Sequence, residues 1–144
     1  MRLVDANVLL YAVNADATHH ESSRAWLDDS LSGSDTVAFA WVALLAYLRL
    51  STKVGLFPAP LTVDQAMDRV DAWLAAPPAV VLEPTVDHAR IVRDLLRAFG
   101  AGGNLVNDAH LAALAIEHRC TIVSFDNDFS RFVGVDWSPP PAPD

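Results

Sequence analysis

Apolar positions along this chain fall into short uninterrupted runs separated by longer stretches with helical spacing. Residues 2–4 read as a strand, and residues 8–13 as the start of a helix or a turn. Residues 19–31 carry Ala25, Trp26 and Leu27 among polar neighbours, the pattern of a surface helix. Thr18 stands as its N-cap, with Glu21 three positions on to complete a capping box. Ser32-Gly33-Ser34-Asp35 is a turn, and residues 36–40 follow as a second strand. Residues 41–53 are apolar nearly all round, which predicts a buried helix ending near Gly55. After the rigid Phe57-Pro58-Ala59-Pro60 link, Thr62 caps a helix running through Trp73 and Leu74 and stopped by Pro77-Pro78. Residues 79–82 are a third strand, and residues 85–99 an amphipathic helix. A glycine-rich break at 100–103 precedes a helix capped by Asn104 or Asn107 and ending near Arg119. Residues 121–124 form a strand, 126–132 a helical turn and 133–136 a last strand.

Short strands alternating with longer helices predict parallel β-α units. The expected fold is a three-layer α/β/α sandwich around a central, mainly parallel sheet. At 144 residues the chain suits one domain. Its expected bounds are 1–137, with a proline-rich tail, 138–144, that is extended and unpacked.

Composition narrows the setting. Apolar residues make up 52%, enough for a full core, yet no apolar stretch reaches the length of a bilayer helix. The N-terminus lacks the pattern of a signal peptide. Cys120 is the lone cysteine, with no partner for a disulfide and no cysteine–histidine zinc spacing. A cytoplasmic protein is expected. Net charge is −8, with fifteen Asp against three Glu. That argues against a broad basic nucleic-acid face. Nine of the ten cations are arginine, however, the residue suited to forked phosphate contacts. Such a chain handles RNA if divalent cations neutralise its carboxylates.

The chemistry gathers at element ends. Asp5 follows the first strand, Asp126 follows the strand at 121–124, and Asp108 lies in the first turn of the helix after the glycine break. Asp128 stands two residues beyond Asp126. Open parallel sheets build their sites outside the strand carboxyl ends, so Asp5 and Asp126 are expected to converge there. Asp108 is favoured by the helix dipole. Oxygen-only ligands suit Mg2+ or Mn2+, and Asn7 or Ser124 could orient a carboxylate or a water. Each aspartate also has an ordinary structural reading as a turn or helix cap. The five histidines show no metal spacing. The tryptophans read as core or interface anchors, Cys120 as a small buried residue, and Arg49 as a cation suited to a helix end. The glycine break is no phosphate loop, because no Lys-Ser/Thr follows it.

Four segments in order, Val4 to Tyr11, Leu45 to Arg49, Asn107 to Ala115 and Val123 to Phe129, resemble the PIN-domain family, specifically VapC-type toxin ribonucleases. The resemblance covers nearly all of the chain except the tail. It implies a Mg2+- or Mn2+-dependent endoribonuclease that cuts RNA, is restrained by a cognate VapB-type antitoxin and forms a homodimer. Carried across, Asp5, Asp108 and Asp126 are acidic ligands, Asp128 is an auxiliary acid, and Arg49 matches an arginine that meets phosphate or antitoxin. One position departs: where the family carries a glutamate, this chain has Ala46 in Ala46-Tyr47-Leu48-Arg49. A partner- or RNA-binding module that has lost activity is therefore the second reading. A phosphatase with Asp5 as nucleophile is a third, weakened because Asn7 stands where such enzymes carry a second aspartate.

Overall fold

A computed structural model describes residues 1–100 and 102–143. Five parallel strands form one sheet in the order β3-β2-β1-β4-β5, where β1 is Arg2–Val4, β2 Val37–Phe39, β3 Ala79–Val81, β4 Thr121–Val123 and β5 Trp137–Ser138. The helices are α1 Ala6–Val13, α2 His20–Leu31, α3 Trp41–Ser51, α4 Val63–Ala75, α5 His88–Phe99 and α6 Val106–His118.

Strand side chains alternate between the two faces of the sheet, and the core divides accordingly. Leu3, Ala38 and Ile122 point into one apolar cluster, completed by Leu95 of α5 and by Leu111 and Leu114 of α6. Their strand neighbours Val4, Val37, Phe39 and Val123 enter the other, with Leu9 of α1, Leu27 of α2, Tyr47 of α3 and Trp73 of α4. The result is the expected sandwich, with α1 to α4 on one face and α5 and α6 on the other. No helix among the described residues is long and apolar enough to cross a membrane.

The α4 start is built as expected: Thr62 and Gln65 exchange side-chain to backbone bonds in a capping box. Five other local expectations are corrected. Thr18 and Glu21 make no capping box, because turns closed by Ala17 N to Asn14 O and His20 N to Ala17 O delay α2; its N-cap, His19, makes no side-chain bond. Glu21 instead pairs with Arg24 at 3.1 Å. Neither Asn104 nor Asn107 caps α6, since a short 3-10 turn at Gly103–Leu105 leads straight into it. The helix α3 is not buried all round: Trp41 and Leu45, one turn apart, are 43% and 58% exposed. The last strand is Trp137–Ser138 rather than 133–136, and beyond it Pro140 is buried. The tail therefore packs at least that far.

Two helices on one face are joined by a polar chain. Glu117 of α6 accepts from the amide and hydroxyl of Thr85 and pairs with His88 Nδ1 at 2.6 Å, while His88 Nε2 meets His110 Nδ1 at 2.8 Å. Burial works to raise the Glu117 carboxyl, but the bonds from Thr85 and His88 outweigh it and hold the group below the usual range. Burial, then neighbouring His88, lowers His110. These histidines act as ties between helices.

Candidate metal centre

The strand order locates the site. From β1 the chain builds outward through β2 and β3, then returns to add β4 and β5 on the other side of β1. The order reverses between β1 and β4, and the crevice at their carboxyl ends is the place where open sheets bind ligands. Asp5 directly follows β1, and Ser124-Phe125-Asp126 directly follows β4.

Asp5 is the N-cap of α1, and its Oδ1 accepts from Ala6 N at 2.7 Å. Its Oδ2 accepts from Ser124 Oγ at 2.7 Å and Asn7 Nδ2 at 3.2 Å. Asn7 Nδ2 also reaches Ser124 Oγ at 2.9 Å, while Asn7 Oδ1 accepts from Phe125 N at 3.2 Å. Asn7 and Ser124 thus bind the two loops into one frame, and Asp5 N donates to Val123 O across the same junction.

Asp126 caps the short 3-10 helix Asn127–Arg131, with Oδ1 accepting from Asp128 N at 2.8 Å. That bond turns Asp128 back toward Asp126. Asp108 comes from the first turn of α6. Ligand-capable oxygens of Asp108, Asp126 and Asp128 all lie within 4.8 Å of one another, with each residue partly buried. Asp5, expected as a ligand, stands outside this group with both oxygens engaged by Ala6, Asn7 and Ser124. Its charge is nevertheless felt. Burial, then Asp126, Asp5 and Asp128 in turn, push the Asp108 carboxyl from 3.8 to about 6. Burial likewise raises Asp5, against the bonds from Ser124 and Ala6.

Three carboxyls this close, with the Asp5 charge acting on Asp108 beside them, repel one another, and a hard dication relieves the repulsion. The donor set is all oxygen, as Mg2+, Mn2+ or Ca2+ require, and Mg2+ needs only one or two carboxylates with waters completing its shell. The residues present fit such an ion. Ala46, half-buried in α3, supplies no further acid, and α3 has none elsewhere. Exposed Arg49, in the last turn of α3, makes no ion pair or side-chain hydrogen bond to the cluster among the described residues.

Comparison with known proteins agrees with this architecture. A family model described as the PIN domain matches residues 2–135. Ribonuclease VapC37 of Mycobacterium tuberculosis is similar throughout, 62% identical over 142 residues and 99% of both chains. Ribonuclease VapC31 of the same species is 37% identical over 98% of this chain and 99% of that one. Among solved structures, VapBC2 from Rickettsia felis, bound to a promoter DNA fragment, superposes with a TM-score of 0.68 at 20% identity, covering 96% of this chain and 97% of that one. VapC20 of Mycobacterium tuberculosis, a toxin that cleaves the sarcin-ricin loop, gives 0.68 at 19% identity over 94% and 99%. At such identities these two structures speak for the fold. The chain belongs to the PIN-domain family.

Proposed function

We propose that this protein is a metal-dependent endoribonuclease using Mg2+ or Mn2+, the toxin of a toxin–antitoxin pair. The single observation that carries the reading is the group of Asp108, Asp126 and Asp128 within 4.8 Å, with Asp5 beside it, at the reversal point of the sheet. Full-length similarity to proteins named ribonucleases supports the reaction class.

Asp108, Asp126 and Asp128 would hold the ion, and Asp5 would add its charge from the end of β1. When bound, the dication supplies Lewis acidity toward a phosphate oxygen and a more acidic water. Ser124 and Asn7 hold the loops of Asp5 and Asp126 at fixed separation, so the carboxylates need not reorganise when substrate arrives. RNA is the substrate, with Arg49 available for phosphate or partner. An antitoxin would cover apolar surface, and Trp41 and Leu45 on α3 are the exposed side chains suited to it.

The test compares wild type with Asp126→Asn, whose amide oxygen can still accept from Asp128 N. Mn2+ should raise the melting temperature of the wild type and support cleavage of labelled RNA. The variant should lose most of both effects. Identical melting shifts in the two proteins, or RNA cleavage indifferent to chelator, would overturn the proposal.

A further inference from the structure

His19, in the turn before α2, is exposed, and its imidazole lies over the ring of Phe125 with centroids 4.2 Å apart and planes 13° from parallel. Tyr11 completes the group, tilted 5.5 Å from Phe125 and 5.9 Å from His19. Tyr11 of α1 and Phe125 are partly buried against the core on the α1 to α4 face, whereas His19 is exposed. Its backbone also starts α2: His19 O accepts from Ser23 N at 3.1 Å and from Ser22 Oγ at 3.2 Å. The ring is thus held at its back and at its base. One face is covered by Phe125, and the residue as a whole is exposed.

Position gives this surface meaning. Phe125 directly precedes Asp126, with Cα atoms about 3.8 Å apart, and its amide is fixed by Asn7, the residue that also joins Asp5 to Ser124. The ring stack and the carboxyl cluster therefore share one frame. A backed, flat ring open to solvent is the surface on which a nucleobase stacks, and such stacking adds affinity without reading the base edge.

We infer that His19, backed by Phe125 and Tyr11, is a stacking platform for the base of a nucleotide next to the scissile phosphate. This rests on the ribonuclease reading above. His19 is then a positioning residue: it places the RNA backbone over the Asp108–Asp126–Asp128 group, and it requires a base turned out from its neighbours.

Kinetics on RNA substrates with a single abasic nucleotide at each position around the cut test the inference. In wild type with Mn2+, one abasic position adjacent to the cut should raise KM by about 5- to 150-fold, the range of a lost base–aromatic stack. His19→Ala should raise KM on intact RNA by a similar factor and should be blind to that abasic position, with the two changes non-additive. His19→Phe should restore the wild-type KM, which a merely structural role for the imidazole nitrogens would not allow. If His19→Ala keeps KM within twofold of wild type, or if every abasic substitution costs it as much as wild type, the platform is refuted while the nuclease stands. If wild type cuts no RNA with Mn2+, the nuclease reading falls and takes the platform with it.

Discussion

Ser124 Oγ lies 2.7 Å from Asp5 Oδ2 and 2.9 Å from Asp126 N, so one buried hydroxyl spans the ends of β1 and β4. It donates to the first and accepts from the second, and it also accepts from Asn7 Nδ2. Its capacity is full. Ser124→Ala would leave the Asp126 amide without its partner and remove the proton donated to Asp5. We expect a loss of about 1–3 kcal/mol in stability, typical of orphaned buried polar groups, and at least a tenfold fall in RNA cleavage. Urea unfolding and a cleavage assay check both; a variant as stable and as active as wild type would show that the hydroxyl bridge is dispensable.

Proton linkage at Asp108 has a definite sign. Its folded pKa, about 6, is above the ordinary 3.8, so the native state keeps a proton that the unfolded chain has released. Between those values the native state binds more protons, and metal-free stability falls as pH rises. The raised Asp5 acts in the same direction. For Asp108, only partly buried, solvent screening reduces the effect to about 1 kcal/mol. In chelator, Asp108→Asn should be the more stable protein at pH 7.5, with the advantage gone near pH 4. Mn2+ affinity of the wild type should weaken below about pH 6, because metal and protons compete for the same oxygens. A wild type and Asp108→Asn that keep a constant stability difference across this range would contradict the linkage.

Ser23 is fully buried in α2, and its hydroxyl has no hydrogen-bond partner among the described residues. A desolvated hydroxyl without a bond is a cost, and alanine is the better helix former. Ser23→Ala should be neutral or stabilising by up to about 1 kcal/mol. Loss of a kcal/mol or more in denaturant unfolding would reveal a bond that the geometry does not contain.

Removing residues 137–144 should lower the melting temperature by several degrees. Trp137 and Ser138 pair with Ile122 and Val123, Ser124 N donates to Ser138 O at 3.1 Å, and Trp137 packs against the core formed with α5 and α6. The truncation exposes the edge of β4 and loosens Ser124. A circular-dichroism melt matching the full chain would mean that β5 adds nothing to stability.

Local physics explains which parts of this molecule were legible from residues alone. The Thr62–Gln65 capping box needs only neighbours along the chain, and it forms. Thr18 offered the same pattern, but the preceding turns start the helix later, with His19 at its N-cap. The apolar look of residues 41–53 signalled burial, whereas α3 has two sides and only one meets the core, leaving Trp41 and Leu45 in solvent. The tail's prolines indicated extended, unpacked chain, yet Pro140 just beyond β5 is buried.

Periodicity and element-end chemistry, both short-range properties, determined the layered parallel fold and the acids at its strand ends. Tertiary structure alone decided how those acids divide. Asp5 is taken up by Ser124, 119 positions away, and by Asn7, while Asp128 turns in to join Asp108 and Asp126. The reason is physical: a carboxylate in a crevice binds whichever donors the fold brings within reach, and donors from β4 reach Asp5 only once β1 and β4 are paired.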